Sequence, residues 1–130
     1  RSPAYDDKNI LQAHLGNIHF SYPNHFLEKR DSLRLKFDSS FKDRFGKGPN
    51  RTAVKGFDVM VDTSLRIAIK RNLIDGLKLG ISDQLQYRFD YQPNPNGGYR
   101  NTAAYMVQHK GFETIEIVTS KSQVDSLHVR

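Results

Sequence analysis

The sequence predicts an α/β fold, a small sheet packed on two main helices, and three observations carry that expectation. Apolar residues recur in steps of four at Leu33, Phe37, Phe41 and Phe45, and in steps of three and four at Val54, Phe57, Val61, Leu65 and Ala68; both spacings place an apolar stripe on one side of a helix. Leu85, Tyr87, Phe89 and Tyr91 alternate with Gln86, Arg88 and Asp90, the period of a strand with one wet face. Gly46 and Pro49 stand between the helical runs, where a left-handed terminal residue ends one helix and a proline cannot prolong it.

Taken in order, the opening RSPAYDDKNILQAHLGN mixes Pro, Asp and Asn ahead of its apolar residues, so residues 1–16 read as a linker or a short helix leading into the domain. In NIHFSYP, Ile18, Phe20 and Tyr22 alternate with His19 and Ser21, which predicts a half-buried strand ended by Pro23. The first long helix starts at Asp31 or Ser32 as N-cap and stops at Phe45 or Gly46. The second starts at Asn50 or Thr52 and ends near Asn72. Asp62 and Arg66 are four apart on it, acid first, and read as a modest surface pair on its outer side. Gly56 falls inside this helix, where glycine costs about 1 kcal/mol relative to alanine, so the close approach of another backbone is expected there. QPNPNGGY reads as a loop. TAAYMVQHKGFETIEIV reads as two strands around a turn at Lys110 and Gly111, with Tyr105 and Val107 on one side and Ile115 and Ile117 following. The polar stretch 119–130 reads as a tail.

The chain has 130 residues, enough for one domain with a real core. The opening Arg1, in place of Met, reads as the start of an excised segment. Cysteine is absent, which excludes disulfides, thiolate metal sites and cysteine nucleophiles. No apolar run approaches the roughly 20 residues of a membrane span. Lys and Arg number 20 against 14 Asp and Glu, a net charge of +6, which makes an anionic polymer a conceivable partner. The two signs alternate along the chain, however, and we read a solvated surface in which nucleic acid is not the expected partner.

The glycines of FGKGPN follow a helix, and Gly48-Pro49 stands where a phosphate-binding loop needs Gly-Lys, so they read as a helix joint and not a phosphate cradle. Histidines 14, 19, 25, 109 and 128 make no H-E-x-x-H pattern and read as surface or strand-edge residues; no metal or cofactor is expected. No G-x-S-x-G elbow supports a serine hydrolase. Asp58 and Asp62 share a helix face with Lys55 and Arg66 nearby, and read as a solvated ion-pair face before an acid/base pair. Tyr87, Phe89, Tyr91 and Tyr105, with Arg88 and Arg100 at the edges, could stack on bases; core packing is the reading we adopt. No catalytic residue is assigned, and the chain is not expected to be an enzyme.

The positions Phe45, Gly46, Pro49, Ala53, Gly56, Phe57 and Asp58, in their order between two helices, resemble the late segment of type I periplasmic solute-binding proteins, the Leu/Ile/Val-binding-like group of amino-acid ABC transporters. There one helix ends in Phe-Gly-x-x-Pro and the next begins around Ala-x-x-Gly-Tyr-Asp; Phe57 replaces the usual tyrosine. The stretch QYRFDYQPNPNGGYRNTAAYMVQHKGFETI is similar to the closing strands of Bacteroidetes-type envelope proteins of this group, some of which carry LysM modules. The resemblance spans roughly Phe37 to Ile117. It implies that residues 1–130 form a single domain or the C-terminal segment of a two-lobed, venus-flytrap binding domain in the periplasm or cell envelope. It also implies a small-molecule ligand held by the full-length protein, and peptidoglycan association through other modules. No ligand-binding residue transfers, because the residues that grip the ligand lie earlier in the family. A homodimer that covers open sheet edges is a further expectation. The alternative, different in class, is a basic interaction module that binds nucleic acid or an anionic wall polymer.

Overall fold

A computed structural model describes residues 12–111 and 113–117. Among them the chain is a mixed α/β structure with four helices and small antiparallel sheets. The expected linker 1–16 contributes α1 (Gln12–Asn17); its first eleven residues, and the expected tail 119–130, lie outside the described residues.

Backbone amides of Ile18, His19 and Phe20 fold back on α1 carbonyls, and His19 takes a left-handed conformation, φ 51°. That turn breaks the alternation read from Ile18, so the strand is β1 (Ser21–Asn24) and contains Pro23 instead of ending at it. An edge position explains this. β1 pairs on one side only, with β6 (Tyr105–Lys110), whose other side holds β7 (Glu113–Glu116), and an edge strand tolerates a missing N–H. The turn between β6 and β7 falls at Gly111, φ 62°, as the Lys110-Gly111 pair predicts.

The core of this three-stranded sheet is Tyr22, Tyr105 and Val107, with Phe20 and Leu27 packed against it. Its cover is α1, which lies against β6. Gly16 sets that contact, because a Cβ there would stand 2.6 Å from the Gly111 backbone.

The two long helices are α2 (Ser32–Phe45) and α3 (Arg51–Lys70). The Asp31 carboxylate caps α2 by accepting from Arg34 N at 2.8 Å, and Gly46, φ 71°, returns its amide to the Lys42 carbonyl. The Asn50 side chain caps α3 by accepting from Ala53 N at 2.9 Å. Each is a local choice: a short polar acceptor where the first amides lack partners, and a glycine where φ must turn positive. The FGKGPN stretch is therefore a helix joint in this structure. α3 ends at Lys70, with Arg71 left-handed at φ 61°, and the short α4 (Leu73–Leu77) lies against it.

The alternating segment from Leu85 to Tyr91 is not one strand. It holds β3 (Arg88–Phe89) and the first residue of β4 (Tyr91–Pro93), while β2 (Ser82–Asp83) lies just before it. β2 pairs with β3, and β4 pairs with β5 (Tyr99–Asn101). The break comes at Asp90, whose amide donates to the Asn101 side chain and whose carbonyl accepts from Thr102. QPNPNGGY thus contributes Gln92, Pro93 and Tyr99 to a hairpin, and Gly97 and Gly98, both at positive φ, make its tip.

Gly56 departs from expectation. It is exposed, and a Cβ built there meets nothing within 4 Å; no backbone approaches it. The close approach is at Gly76, where a Cβ would stand 2.9 Å from the Arg66 side chain and backbone. Gly56→Ala is accordingly expected to stabilise the chain by about 1 kcal/mol, read as a higher urea midpoint at unchanged slope. A lower midpoint would mean that the open space at Gly56 is filled in solution.

Candidate functional site

Two features concentrate the chemistry of this chain: a buried polar stripe along α3, and a groove beside it.

The stripe runs Val54, Asp58, Asp62, Arg66 in steps of four, with the three charged residues 0%, 1% and 1% exposed. This overturns the reading of Asp62–Arg66 as a surface pair and of Asp58 and Asp62 as a solvated face. The physical reason lies in the partner segment 76–89, which turns backbone amides and carbonyls, and the Ser82 hydroxyl, toward α3. Asp58 accepts three backbone N–H bonds, from Leu85 at 3.1 Å, Gln86 at 2.9 Å and Tyr87 at 3.0 Å. Arg66 donates through Nε to Asp62 at 2.8 Å, through Nη1 to the Gly76 carbonyl at 3.1 Å, and through Nη2 to the Gly80 carbonyl at 2.9 Å and Ser82 Oγ at 3.0 Å. The Ser82 hydroxyl in turn donates to Asp62. Every buried charge therefore meets a partner, the condition under which burial is tolerated. Burial pushes the Asp58 carboxyl above the usual carboxylate range, although the three amides oppose that shift. With Asp58 filled by backbone amides and Asp62 by Arg66 and Ser82, the stripe clamps the 76–89 segment to α3.

A second polar cluster joins Asp83, Arg88, Tyr105 and Glu116. Arg88 donates to both Asp83 oxygens, at 2.7 and 3.0 Å, and to Glu116 at 3.1 Å; the Tyr105 hydroxyl donates to Asp83 at 3.2 Å. Burial would raise the Asp83 carboxyl, but the Arg88 bonds and charge hold it below its ordinary value. Burial, reinforced by that carboxylate, pushes the Tyr105 phenol well up.

The groove lies between α2, α3 and the 83–85 segment, with a volume of about 550 Å³. Leu33, Phe37, Phe57, Val61, Leu65 and Leu85 wall it, and Lys29 and Lys36 stand in it with Asp31 and Asp83. The helices meet at Phe37 and Phe57, ring centroids 4.5 Å apart. α2 buries no residue completely, and Leu33 at its start is 66% exposed. The predicted apolar stripe of α2 is present in spacing but only half covered at Phe37 and Phe41, and open at Leu33 and Phe45.

The residues singled out in the sequence scatter. Tyr87, Phe89 and Tyr105 are buried and Tyr91 is half-buried, so these rings serve the core and present no stacking platform. His14, His19 and His25 are exposed, while His109 is buried between Phe20 and Tyr22, against the surface reading; both its ring nitrogens lack a hydrogen-bond partner. His128 lies outside the described residues. Among the described residues no three His, Asp or Glu side chains gather as a metal site, and no helix is long and apolar enough to cross a membrane. Lys29 and Leu85 carry no signal of their own in the sequence; only the fold brings them to the groove.

Comparison with protein-family models, with curated proteins and with solved structures finds no match to this chain.

Proposed function

We propose that the chain is the C-terminal segment of an extracytoplasmic solute-binding protein of the amino-acid transporter type. It is non-catalytic and contributes part of one lobe, in the periplasm or cell envelope. The observation that carries this reading is α3. It is amphipathic, yet the side it buries completely is the one with Val54, Asp58, Asp62 and Arg66, while on its apolar side Val61 and Leu65 are only half-buried. Met60 is 66% exposed, and Phe57, Val59, Ile67 and Ile69 are exposed as well. An apolar helix face left open to this extent marks a surface that other protein covers. The resemblance at Phe45, Gly46, Pro49, Ala53, Gly56, Phe57 and Asp58 adds the kind of structure: a two-lobed α/β domain that closes on its ligand. The three amides held by Asp58 give that position a physical reason to be an aspartate.

Thermal-shift measurements with single amino acids test the proposal. The isolated chain is expected to show no saturable stabilisation. A polypeptide extended upstream of Arg1 is expected to gain about 2.7 kcal/mol at a hundredfold excess over Kd with its cognate ligand. No response of the extended polypeptide to any amino acid would overturn the reading.

A further inference from the structure

We propose that the tip formed by the last turn of α2, the joint and the first turn of α3 docks on an anionic lipid bilayer, with its cations at the headgroup phosphates and the Phe45 ring in the boundary beneath them. The inference goes beyond solute binding and does not depend on it.

The net charge of the chain is gathered at this tip. The stretch 42–55 holds Lys42, Arg44, Lys47, Arg51 and Lys55 against one acid, Asp43, which is +4 of the chain's +6 in about a tenth of its length. All five cations are exposed. Arg51 lies over the Phe26 ring at 3.9 Å and Lys55 over the Tyr87 ring at 5.8 Å, contacts that leave their charge in place. Among the described residues, Lys42, Arg44 and Lys47 lie within ion-pair distance of no carboxylate. The acids that flank the stretch are engaged: Asp38 by Arg34 at 2.8 Å, and Asp58 by the amides of 85–87. A tip so one-sided attracts a surface of negative charge, and each Lys or Arg close to an anionic membrane strengthens binding about fivefold.

Shape and Phe45 select a bilayer over a polymer. Residues 42–48 are exposed without a break, and the chain reverses among them at Gly46, φ 71°. A convex tip meets a broad layer of charge without needing a matching hollow, whereas single-strand binders track phosphates along a groove lined by successive rings. Here one ring is on offer. Phe45 is 58% exposed, with Phe41 against it at a centroid distance of 4.5 Å and Arg44 and Lys47 on either side in the chain. At the boundary between headgroups and acyl chains such a ring leaves water while the cations around it stay at the phosphates.

The test is co-sedimentation of the full 130-residue chain with phosphatidylcholine vesicles that contain or lack about a third phosphatidylglycerol. Binding is expected to the anionic vesicles only, and to weaken as salt is raised. Lys42→Gln with Arg44→Gln and Lys47→Gln, at exposed positions and with good helix formers kept in α2, is expected to weaken it about a hundredfold. Should the triple variant not fold, Lys47→Gln alone, in the joint, is expected to weaken it about fivefold. Phe45→Ser is expected to weaken it about fivefold or more. Lys70→Gln is the control: about 28 Å from Arg51 along α3, several Debye lengths away, it is expected to change binding less than about twofold. Absence of binding to anionic vesicles at low salt overturns the proposal. So does a Lys70→Gln effect equal to that of Lys47→Gln, which would place the contact elsewhere on the chain. An unchanged affinity in Phe45→Ser overturns it too, as does tighter binding to a DNA duplex at equal phosphate concentration, since the tip would then answer to any polyanion.

Discussion

Arg66→Met is expected to cost about 3–5 kcal/mol of stability. The guanidinium is 1% exposed and ties α3 to the Gly76 and Gly80 carbonyls and to Ser82, while also bonding Asp62 one turn back on the same helix. Methionine fills much of the same volume, so packing changes little. What is lost is the partner of a buried carboxylate, and an unpaired buried charge is far more expensive than the pair is worth. Against a total of about 5–15 kcal/mol for a domain, this is about a fifth or more. Urea denaturation of both proteins measures it directly. Asp62→Asn combined with Arg66→Met should recover part of the loss, since it removes the stranded charge. A single-variant loss below about 1 kcal/mol would mean that water reaches Asp62 and that the stripe is not the clamp described above.

Asp58→Ala is the second large effect. It strips the acceptor from the amides of Leu85, Gln86 and Tyr87, and each buried unsatisfied donor costs about 1–3 kcal/mol, so a loss of about 3 kcal/mol or more is expected. Asp58→Asn keeps one acceptor oxygen and should lose less. The two variants also separate a pH effect. Burial raises the Asp58 carboxyl above its ordinary value, so the folded chain holds a proton at a pH where the unfolded chain has released it. The stability from this group is full below the ordinary carboxylate range and is lost as pH rises through the raised value. Asp83 runs in the opposite sense: held low despite its burial by Arg88, it contributes above the ordinary range, and that contribution is lost as pH falls through the lowered value. Stability measured against pH should therefore lose its Asp58 slope in Asp58→Asn and keep its Asp83 slope. An unchanged profile in that variant would sink the assignment.

Much of the helical architecture was legible because it is local. Asp31, Gly46 and Asn50 each act within four residues of their own position, so their chemistry can be read from neighbours in the chain. The hairpin at Gly111 is legible for the same reason, since a positive φ there needs a residue without a side chain. The strand read from Leu85 to Tyr91 was misjudged because its alternation is real while its pairing is not local. Asp90 bonds to Asn101 and Thr102, and that breaks the segment into separate short pairings.

The candidate site was the least legible part. Steps of four run through Phe57, Val61 and Leu65 as well as through Asp58, Asp62 and Arg66, and a helix offers both stripes equally. By itself the sequence determined the ends of α2 and α3, the joint between them and the turn between β6 and β7, since capping and φ preferences are settled within a turn of chain. Only the tertiary structure decided which stripe of α3 turns inward. The amides of 85–87 find their acceptor in Asp58 and the Gly80 carbonyl its donor in Arg66, and backbone groups removed from water draw the charged side of a helix to themselves ahead of its apolar side.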